Sequence, residues 1–274
     1  MTTILDGKAV ANEYQKLLKD KIKLMNNKPH LAVIKVGSDP ASEIYINAKE
    51  KACKNIGIGF TKLEFDDTPH EEDIITAINA LNKNEEITGI IVQLPLPKKL
   101  NERNILNSII PSKDVDGLTS ENMAKLYTNN PCHIPCTPKG VIELLKYYRI
   151  PLVGKNVVII GRSNLVGKPL ALLFLNEGAT VTICHSKTND LKDHTKTADI
   201  LVSAVGKKHL ITEDMVKENS TIIDIGVTRE DKIYGDIDFT NVQNKVSYIT
   251  PNPGGVGPMT ITMLLENTCN HKQD

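Results

Sequence analysis

Tyr45 and Lys49 stand four residues apart in a stretch of helical periodicity, so their side chains share one face. An amine works as an acid or base near neutral pH only where burial or neighbours bring its pKa down. On a solvated face the same two residues are ordinary surface groups, and at this point both readings stand. Gln93, in VQLPLP, closes an apolar strand, where a buried amide needs a partner. Asp114 and Asp116 lie in KDVDG. Asp116-Gly117 reads as a plain turn or as a carboxylate at the mouth of a cleft, its two oxygens accepting two N–H groups of an amino-pyrimidine ring in a fork.

A second chemistry lies in VVIIGRSNLVGKP, residues 157–169. Val157 to Ile160 read as a buried parallel strand, Gly161 ends it, and Gly167-Lys168-Pro169 opens an apolar helix. A strand, a glycine turn and a helix N-terminus direct backbone N–H groups and the positive end of the helix dipole at one spot, which suits an anion. The spacing is Gly-x5-Gly rather than Gly-x-Gly-x2-Gly, so an ordinary βα turn is the competing reading. A fold that selects NAD carries Asp or Glu at the end of the second strand. Here that place reads VTICHSK, without a carboxylate. Arg162 in the turn, with Ser186 and Lys187 beyond the strand, supplies the cation and hydroxyl that suit a 2′-phosphate, which leans toward NADP; Arg162 and Lys187 as plain solvated residues is the competing reading. Gly226-Val227 after IIDI is a further glycine break at a strand's carboxyl end, within reach of a nicotinamide.

These residues need a scaffold that brings strand ends together, and the chain has the pattern for one. Amphipathic helical spacing from Val10 to Met25, a strand at Leu31–Val36, and a helix from Pro40 to about Ile56 with Asp39 as N-cap and Gly57 as stop open the chain. A strand near Phe60–Phe65, a helix near Glu71–Leu81 and a strand Ile87–Leu94 continue the alternation. A helix capped by Thr137 begins at Pro138. The second alternation has strands at Val157–Ile160, Thr180–Cys184, Ile200–Val202, Thr221–Ile225 and Val246–Ile249, and the chain closes on PNPGGVGPMT and a helix, Met259–Asn267. Alternating strands and helices predict two α/β domains, the second a Rossmann-like parallel sheet, with a cleft between them. The expected division is 1–130, completed by a C-terminal helix 250–274, and 131–249.

The 274 residues carry 33 basic and 33 acidic side chains, a formal net charge of zero, so electrostatic capture of nucleic acid or an acidic membrane is not expected. No apolar run approaches the ~20 residues of a membrane span, and MTTILDGKAVANEY lacks a cationic-then-apolar signal, so a cytoplasmic location is expected. Five scattered cysteines fit reduced thiols. Cys132-His133-x2-Cys136 has no second ligand cluster at zinc spacing, so no metal is expected.

Tyr-x3-Lys also occurs in short-chain dehydrogenases, where it follows the cofactor loop by well over a hundred residues; here it precedes the loop, which excludes that family. Taken together, YINAK, VQLPLP, KDVDG, PCTPKG, GRSNLVGKP, CHSKT, YGDIDF and PGGVGPMT, in this order over nearly the whole chain, resemble the bifunctional methylenetetrahydrofolate dehydrogenase/cyclohydrolase (FolD) family. The resemblance implies NADP-dependent oxidation of 5,10-methylenetetrahydrofolate to the methenyl form and hydrolysis of that to 10-formyltetrahydrofolate. It implies Lys49 as the essential lysine, Tyr45 as the ring that orients the folate, Gln93 as the group that tunes the lysine, and Asp116 as the grip on the pterin. It places Gly161, Arg162 and Ser163 at the pyrophosphate, Ser186 at the 2′-phosphate, Thr137 and Val227 beside the nicotinamide, and Gly254, Gly255 and Pro258 in a loop lining the substrate site. It also implies a homodimer formed through the nucleotide domain. The chain departs from the family pattern at Leu118-Thr119-Ser120, usually Phe-His-Pro, and at Asn252, usually Val.

Overall fold

The structure, a computed structural model, describes residues 2–130 and 133–270. In chain order its elements are β1 (Thr3–Ile4), α1 (Gly7–Lys23), β2 (His30–Val36), α2 (Pro40–Ile56), β3 (Gly59–Phe65), α3 (Glu71–Lys83) and β4 (Gly89–Val92). Helices α4 (Glu102–Asn107), α5 (Ser120–Tyr127) and α6 (Cys136–Tyr147) follow, then β5 (Asn156–Ile160), α7 (Gly167–Asn176), β6 (Thr180–Cys184), α8 (Leu191–Thr195), β7 (Ile200–Ser203) and β8 (Thr221–Asp224). The chain ends with β9 (Thr228–Arg229), β10 (Ile233–Tyr234), α9 (Phe239–Val242), β11 (Tyr248–Ile249) and α10 (Val256–Cys269).

The chain divides into two compact units, residues 13–136 with 261–274 and residues 1–12 with 137–260. These boundaries differ from the expected 130/131 and 249/250. The largest further difference is at the N-terminus, where residues 1–12 go with the second half. β1 pairs in parallel with β11, Thr3 N donating to Ser247 O and Leu5 N to Ile249 O, both at 2.8 Å, so the first residues join the sheet built by the second half.

The first unit holds a three-stranded parallel sheet of order β3-β2-β4. Its central strand, HLAVIKV, is almost wholly buried, as expected of a strand covered on both faces. Ile34, Ile74, Ile78, Ile90, Ile105 and Leu118 pack in one of its apolar clusters. α2 starts and stops where its local chemistry dictates. Asp39 accepts from Ala41 N at 3.4 Å and Ser42 N at 2.9 Å, Pro40 takes the first position, and Gly57 turns left-handed at φ 90°.

The second unit holds a six-stranded, all-parallel sheet of order β1-β11-β8-β7-β5-β6, with a small antiparallel ribbon of β9 and β10. Val158, Ile160, Leu201, Ile222 and Ile249 form part of its core. Two expectations shift here. α6 begins at Cys136, so Thr137 lies inside the helix rather than capping it, and α10 begins at Val256, so Pro258 is helical rather than in the preceding loop. Proline is tolerated in both first turns because those N–H groups have no helical acceptor.

Candidate active site

In the first unit, α2 carries Tyr45 and Lys49 on one face. The Lys49 ammonium donates to Gln93 Oε1 at 2.9 Å. Gln93 follows directly on β4. Its backbone N–H extends the ladder by donating to Ile34 O at 2.8 Å, and its amide N–H donates to Leu94 O at 2.8 Å. The partner that the sequence demanded for this amide is therefore Lys49 on one side and its own chain on the other. Tyr45 sits one helical turn before Lys49, with 41% of its surface open.

Asp116 completes the cluster from the 113–117 loop. It exerts the strongest charge interaction on Lys49, ahead of the Cys136 and Cys53 thiols. Both side chains are half-buried, with their charged ends in dense protein. Burial accordingly pulls Lys49 below the ordinary lysine range, and Asp116 opposes that. Burial also lifts Asp116 above the usual carboxylate range, while Lys49 and a hydrogen bond with Cys136 hold it down. The Cys53 thiol is pushed up to about 12 by burial. Cys53 was not singled out from sequence, and Cys136 was weighed there only as part of a metal pattern; no local signal would have placed either beside Lys49. Cys53 is four residues beyond Lys49 on α2, whereas Cys136 comes from another segment.

The neighbouring Asp114 has a different task. Fully buried, it accepts from Leu118 N at 3.1 Å, Thr119 N at 2.8 Å and Asn122 Nδ2 at 2.8 Å. The departures at 118–120 are thereby explained locally. Leu118 enters the core, and Thr119 caps α5 by accepting from Asn122 N at 3.2 Å.

In the second unit, Gly161 takes φ +124°, and a Cβ there would lie 2.7 Å from Ala204 O. A Cβ on Gly167 would lie 2.1 Å from Gly161 O. The turn is therefore closed to any larger residue at either glycine. Ser163 Oγ accepts from Val166 N at 3.1 Å and, more weakly, from Gly167 N at 3.4 Å, fixing the entry into α7. β5 and β6 run in register with Ile160 opposite Cys184, so Arg162 and Ser186 each lie two residues beyond that paired position. Both are exposed, as is Lys187. A tight turn, His185 N donating to Thr188 Oγ1 at 2.8 Å, presents Ser186 and Lys187.

Of the other predicted positions, Val227 lies at the same carboxyl edge, Gly254 and Gly255 on the final loop, and Thr137 and Pro258 in the first turns of α6 and α10. Val227, 40% exposed, follows β8 and Gly226. Thr137 Oγ1 shares a 3.0 Å hydrogen bond with Thr260 Oγ1. Gly254 is left-handed at φ +108°, and Lys8 N donates to its carbonyl at 3.0 Å. Gly255 is packed so closely that a Cβ would lie 2.6 Å from Pro251 O. Among the described residues no cluster of three His, Cys, Asp or Glu side chains could hold a metal ion, and Cys132 lies outside those residues.

Comparison with known proteins follows this geometry. Residues 5–116 match the catalytic domain of tetrahydrofolate dehydrogenase/cyclohydrolase, and residues 135–274 match its NAD(P)-binding domain. Bifunctional protein FolD of Bacillus cytotoxicus is 50% identical over 273 residues, covering 98% of this chain and 96% of the relative. The bifunctional FolD methylenetetrahydrofolate dehydrogenase/cyclohydrolase of Campylobacter jejuni superposes with a TM-score of 0.96 at 47% identity, over 98% of this chain and 97% of that one. The Trypanosoma brucei methylenetetrahydrofolate dehydrogenase-cyclohydrolase, solved with NADP and an inhibitor, gives 0.94 at 35% identity with the same coverage.

Proposed function

This chain belongs to the tetrahydrofolate dehydrogenase/cyclohydrolase family, and from that premise we propose that Lys49, Tyr45, Gln93 and Asp116 carry its folate chemistry while the 161–167 turn holds its cofactor. The protein is a bifunctional enzyme. It oxidises 5,10-methylenetetrahydrofolate to the 5,10-methenyl form with NADP, and hydrolyses that to 10-formyltetrahydrofolate.

The residues present fit NADP. The glycines at 161 and 167 let backbone approach a pyrophosphate, no carboxylate stands at the end of β6 to repel a 2′-phosphate, and Arg162, Ser186 and Lys187 are exposed at adjacent strand ends. When bound, NADP supplies the ring that accepts the hydride. The carbon that loses hydride is left as a cation shared by two folate nitrogens, so the step depends on alignment more than on a base. Val227 and Thr137 are assigned to the nicotinamide side, and Gly254, Gly255 and Pro258 to the substrate side.

Hydrolysis asks for proton management. Water adds to the methenyl carbon and loses one proton as the C–O bond forms; the C–N5 bond then breaks, the hydroxyl releasing its remaining proton to solvent as it becomes the formyl carbonyl while N5 takes up a proton. Lys49, its amine made easier to keep neutral by burial, takes the proton from water, and the resulting ammonium returns one to N5. Gln93 orients the amine, Tyr45 orients the folate ring, and Asp116 accepts from the amino-pyrimidine while stabilising the ammonium between the two transfers. The observation that carries this reading is the 2.9 Å Lys49–Gln93 hydrogen bond, with the half-buried Asp116 carboxylate acting on the same amine.

The reading extends to a homodimer working in the cytoplasm, with neither nucleic acid nor membrane as partner. The net charge of zero supports it, and among the described residues no helix is long and apolar enough to cross a membrane. The decisive experiment is Lys49→Met, assayed separately for the two reactions. Methenyl hydrolysis should be lost, with the NADP-dependent oxidation suffering less. Hydrolysis near the wild-type rate would overturn the assignment of Lys49.

A further inference from the structure

The carboxyl edge of the six-stranded sheet holds two buried carboxylates that the proposed chemistry does not use. Asp236, fully buried, accepts from Ser203 Oγ at 2.7 Å, Val205 N at 2.9 Å and Lys207 N at 2.7 Å, which ties down the segment leaving β7. Asp224, at the end of β8, accepts from Asp236 N at 3.0 Å and Ile237 N at 3.1 Å. Both carboxylates are seated against glycines. A Cβ on Gly226 would lie 1.9 Å from Asp236 Oδ1, and one on Gly235 would lie 1.8 Å from Asp224 Oδ2. The segments at 203–207, 224–227 and 235–237 are thus locked to one another by two side chains.

Asn252, the position that departs from the family pattern, joins the final loop to this lock. Its amide Nδ2 donates to Gly226 O at 2.6 Å and also hydrogen-bonds the Asp224 carboxyl. It lies so close to Gly235 that a Cβ there would be 3.0 Å from the same nitrogen. Valine offers no donor at this place, so the Gly226 carbonyl and Asp224 would each lose one partner. Val227, directly after the clamped carbonyl, is the residue assigned above to the nicotinamide.

We propose that Asn252 is a positioning residue for the dehydrogenase reaction: its amide clamps the Gly226 carbonyl and so sets the Gly226-Val227 turn for the nicotinamide. The inference rests on the reading that Val227 lies beside that ring. A second consequence concerns the loop itself. Because Asn252 precedes Pro253-Gly254-Gly255, the same bond holds the start of the loop assigned to the substrate side.

Asn252→Val and Asn252→Asp test it. The first removes the donor, and the second keeps the shape while replacing the donor with an acceptor facing Gly226 O and Asp224. The amplitude of the thermal unfolding transition counts the folded enzyme in each preparation, and methenyl hydrolysis without NADP reports any disturbance of the substrate-side loop. The expected result is a rise of about three- to tenfold in KM for NADP in Asn252→Val, the worth of one neutral hydrogen bond, with a larger rise in Asn252→Asp. The kcat for oxidation at saturating NADP, per folded enzyme, falls as well, because the hydride step depends on alignment. A merely structural role would lower the folded fraction and leave KM in place, which would overturn the inference. Val227→Phe run in parallel separates the two levels. If it raises KM for NADP while both Asn252 variants leave KM unchanged, the inference about Asn252 fails alone. If none of the three variants changes KM, the placement of Val227 fails, and the inference fails with it.

Discussion

The charge state of Lys49 can be followed through the pH dependence of methenyl hydrolysis. A general base must be neutral, so the rate climbs as pH rises through the pKa of the group, and this acid limb reports the pKa. Lys49 and Asp116 interact closely, so the limb belongs to the pair rather than to either residue. Replacing Gln93 with Leu removes an acceptor 2.9 Å from the amine. That acceptor favours the ammonium over the neutral amine, since a hydrogen bond to a charged group is worth ~1.5–3 kcal/mol and one between neutral groups ~0.5–1.5 kcal/mol. The difference, about 1 kcal/mol, corresponds to roughly 0.7 pH unit. Gln93→Leu therefore displaces the acid limb to lower pH by that amount, while the plateau drops because the amine is no longer held. Asp116→Asn removes the largest influence holding the Lys49 pKa up, so its limb moves in the same direction and further. The assay is the initial loss of methenyl absorbance in the absence of NADP, corrected for spontaneous hydrolysis at each pH. A limb that stays in place in both variants, or moves to higher pH, refutes the assignment of the base to Lys49.

Two further outcomes follow from the packing. Gly226→Ala drives a Cβ to 1.9 Å from Oδ1 of the buried Asp236 carboxylate, whose two oxygens together accept three hydrogen bonds, so overpacking of ~1–3 kcal/mol or more is expected, visible as a melting temperature lower by several degrees. Asp39→Ala removes the acceptor for Ala41 N and Ser42 N at the start of the helix that carries Tyr45 and Lys49, a loss of about 1 kcal/mol measurable by denaturant titration.

What could be read from sequence follows the range over which each signal acts. The limits of α2 were legible because Asp39, Pro40 and Gly57 act within one turn of their own positions. Strands such as Thr180–Cys184 were legible because each carries its own pattern. β1 was not, since Thr3 and Ile4 are two exposed residues whose strand character comes from pairing with residues 248 and 249. That single pairing moves the first residues into the second unit. At the site, helical periodicity placed Tyr45 and Lys49 on one face but could not say what faced them. Gln93 reaches Lys49 because β4 pairs with β2, and α2 follows directly from β2. The apolar strand marked Gln93 and the resemblance tied it to the lysine, whereas the parallel pairing explains how the two meet. Asn252 was marked only as a departure, and Asp224 and Asp236 only as parts of IIDI and YGDIDF; what they hold was not legible, because their contacts join residues 203, 226 and 237 across segments with no common spacing.

The KDVDG stretch shows why a motif can be longer than its chemistry. The Lys113 ammonium donates to the carbonyls of Leu81, Asn82 and Asn84 at 3.1, 2.8 and 2.7 Å, closing the end of α3. Asp114 is saturated by Leu118, Thr119 and Asn122. The carbonyl of Val115 receives Asn267 Nδ2 at 2.9 Å and the Cys136 thiol at 3.3 Å. Gly117 turns left-handed at φ +71°, where a Cβ would lie 2.9 Å from His133 O. Each neighbour of Asp116 is thus committed to holding backbone in place, and Asp116 is left to act through its charge on Lys49. Two aspartates separated by one residue carry different duties because one meets three donors and the other meets an amine in dense protein. Rigid neighbours also explain how a carboxylate lifted by burial can be kept beside a lysine lowered by burial: the loop cannot relax to let water return the two charges to their ordinary pKa values.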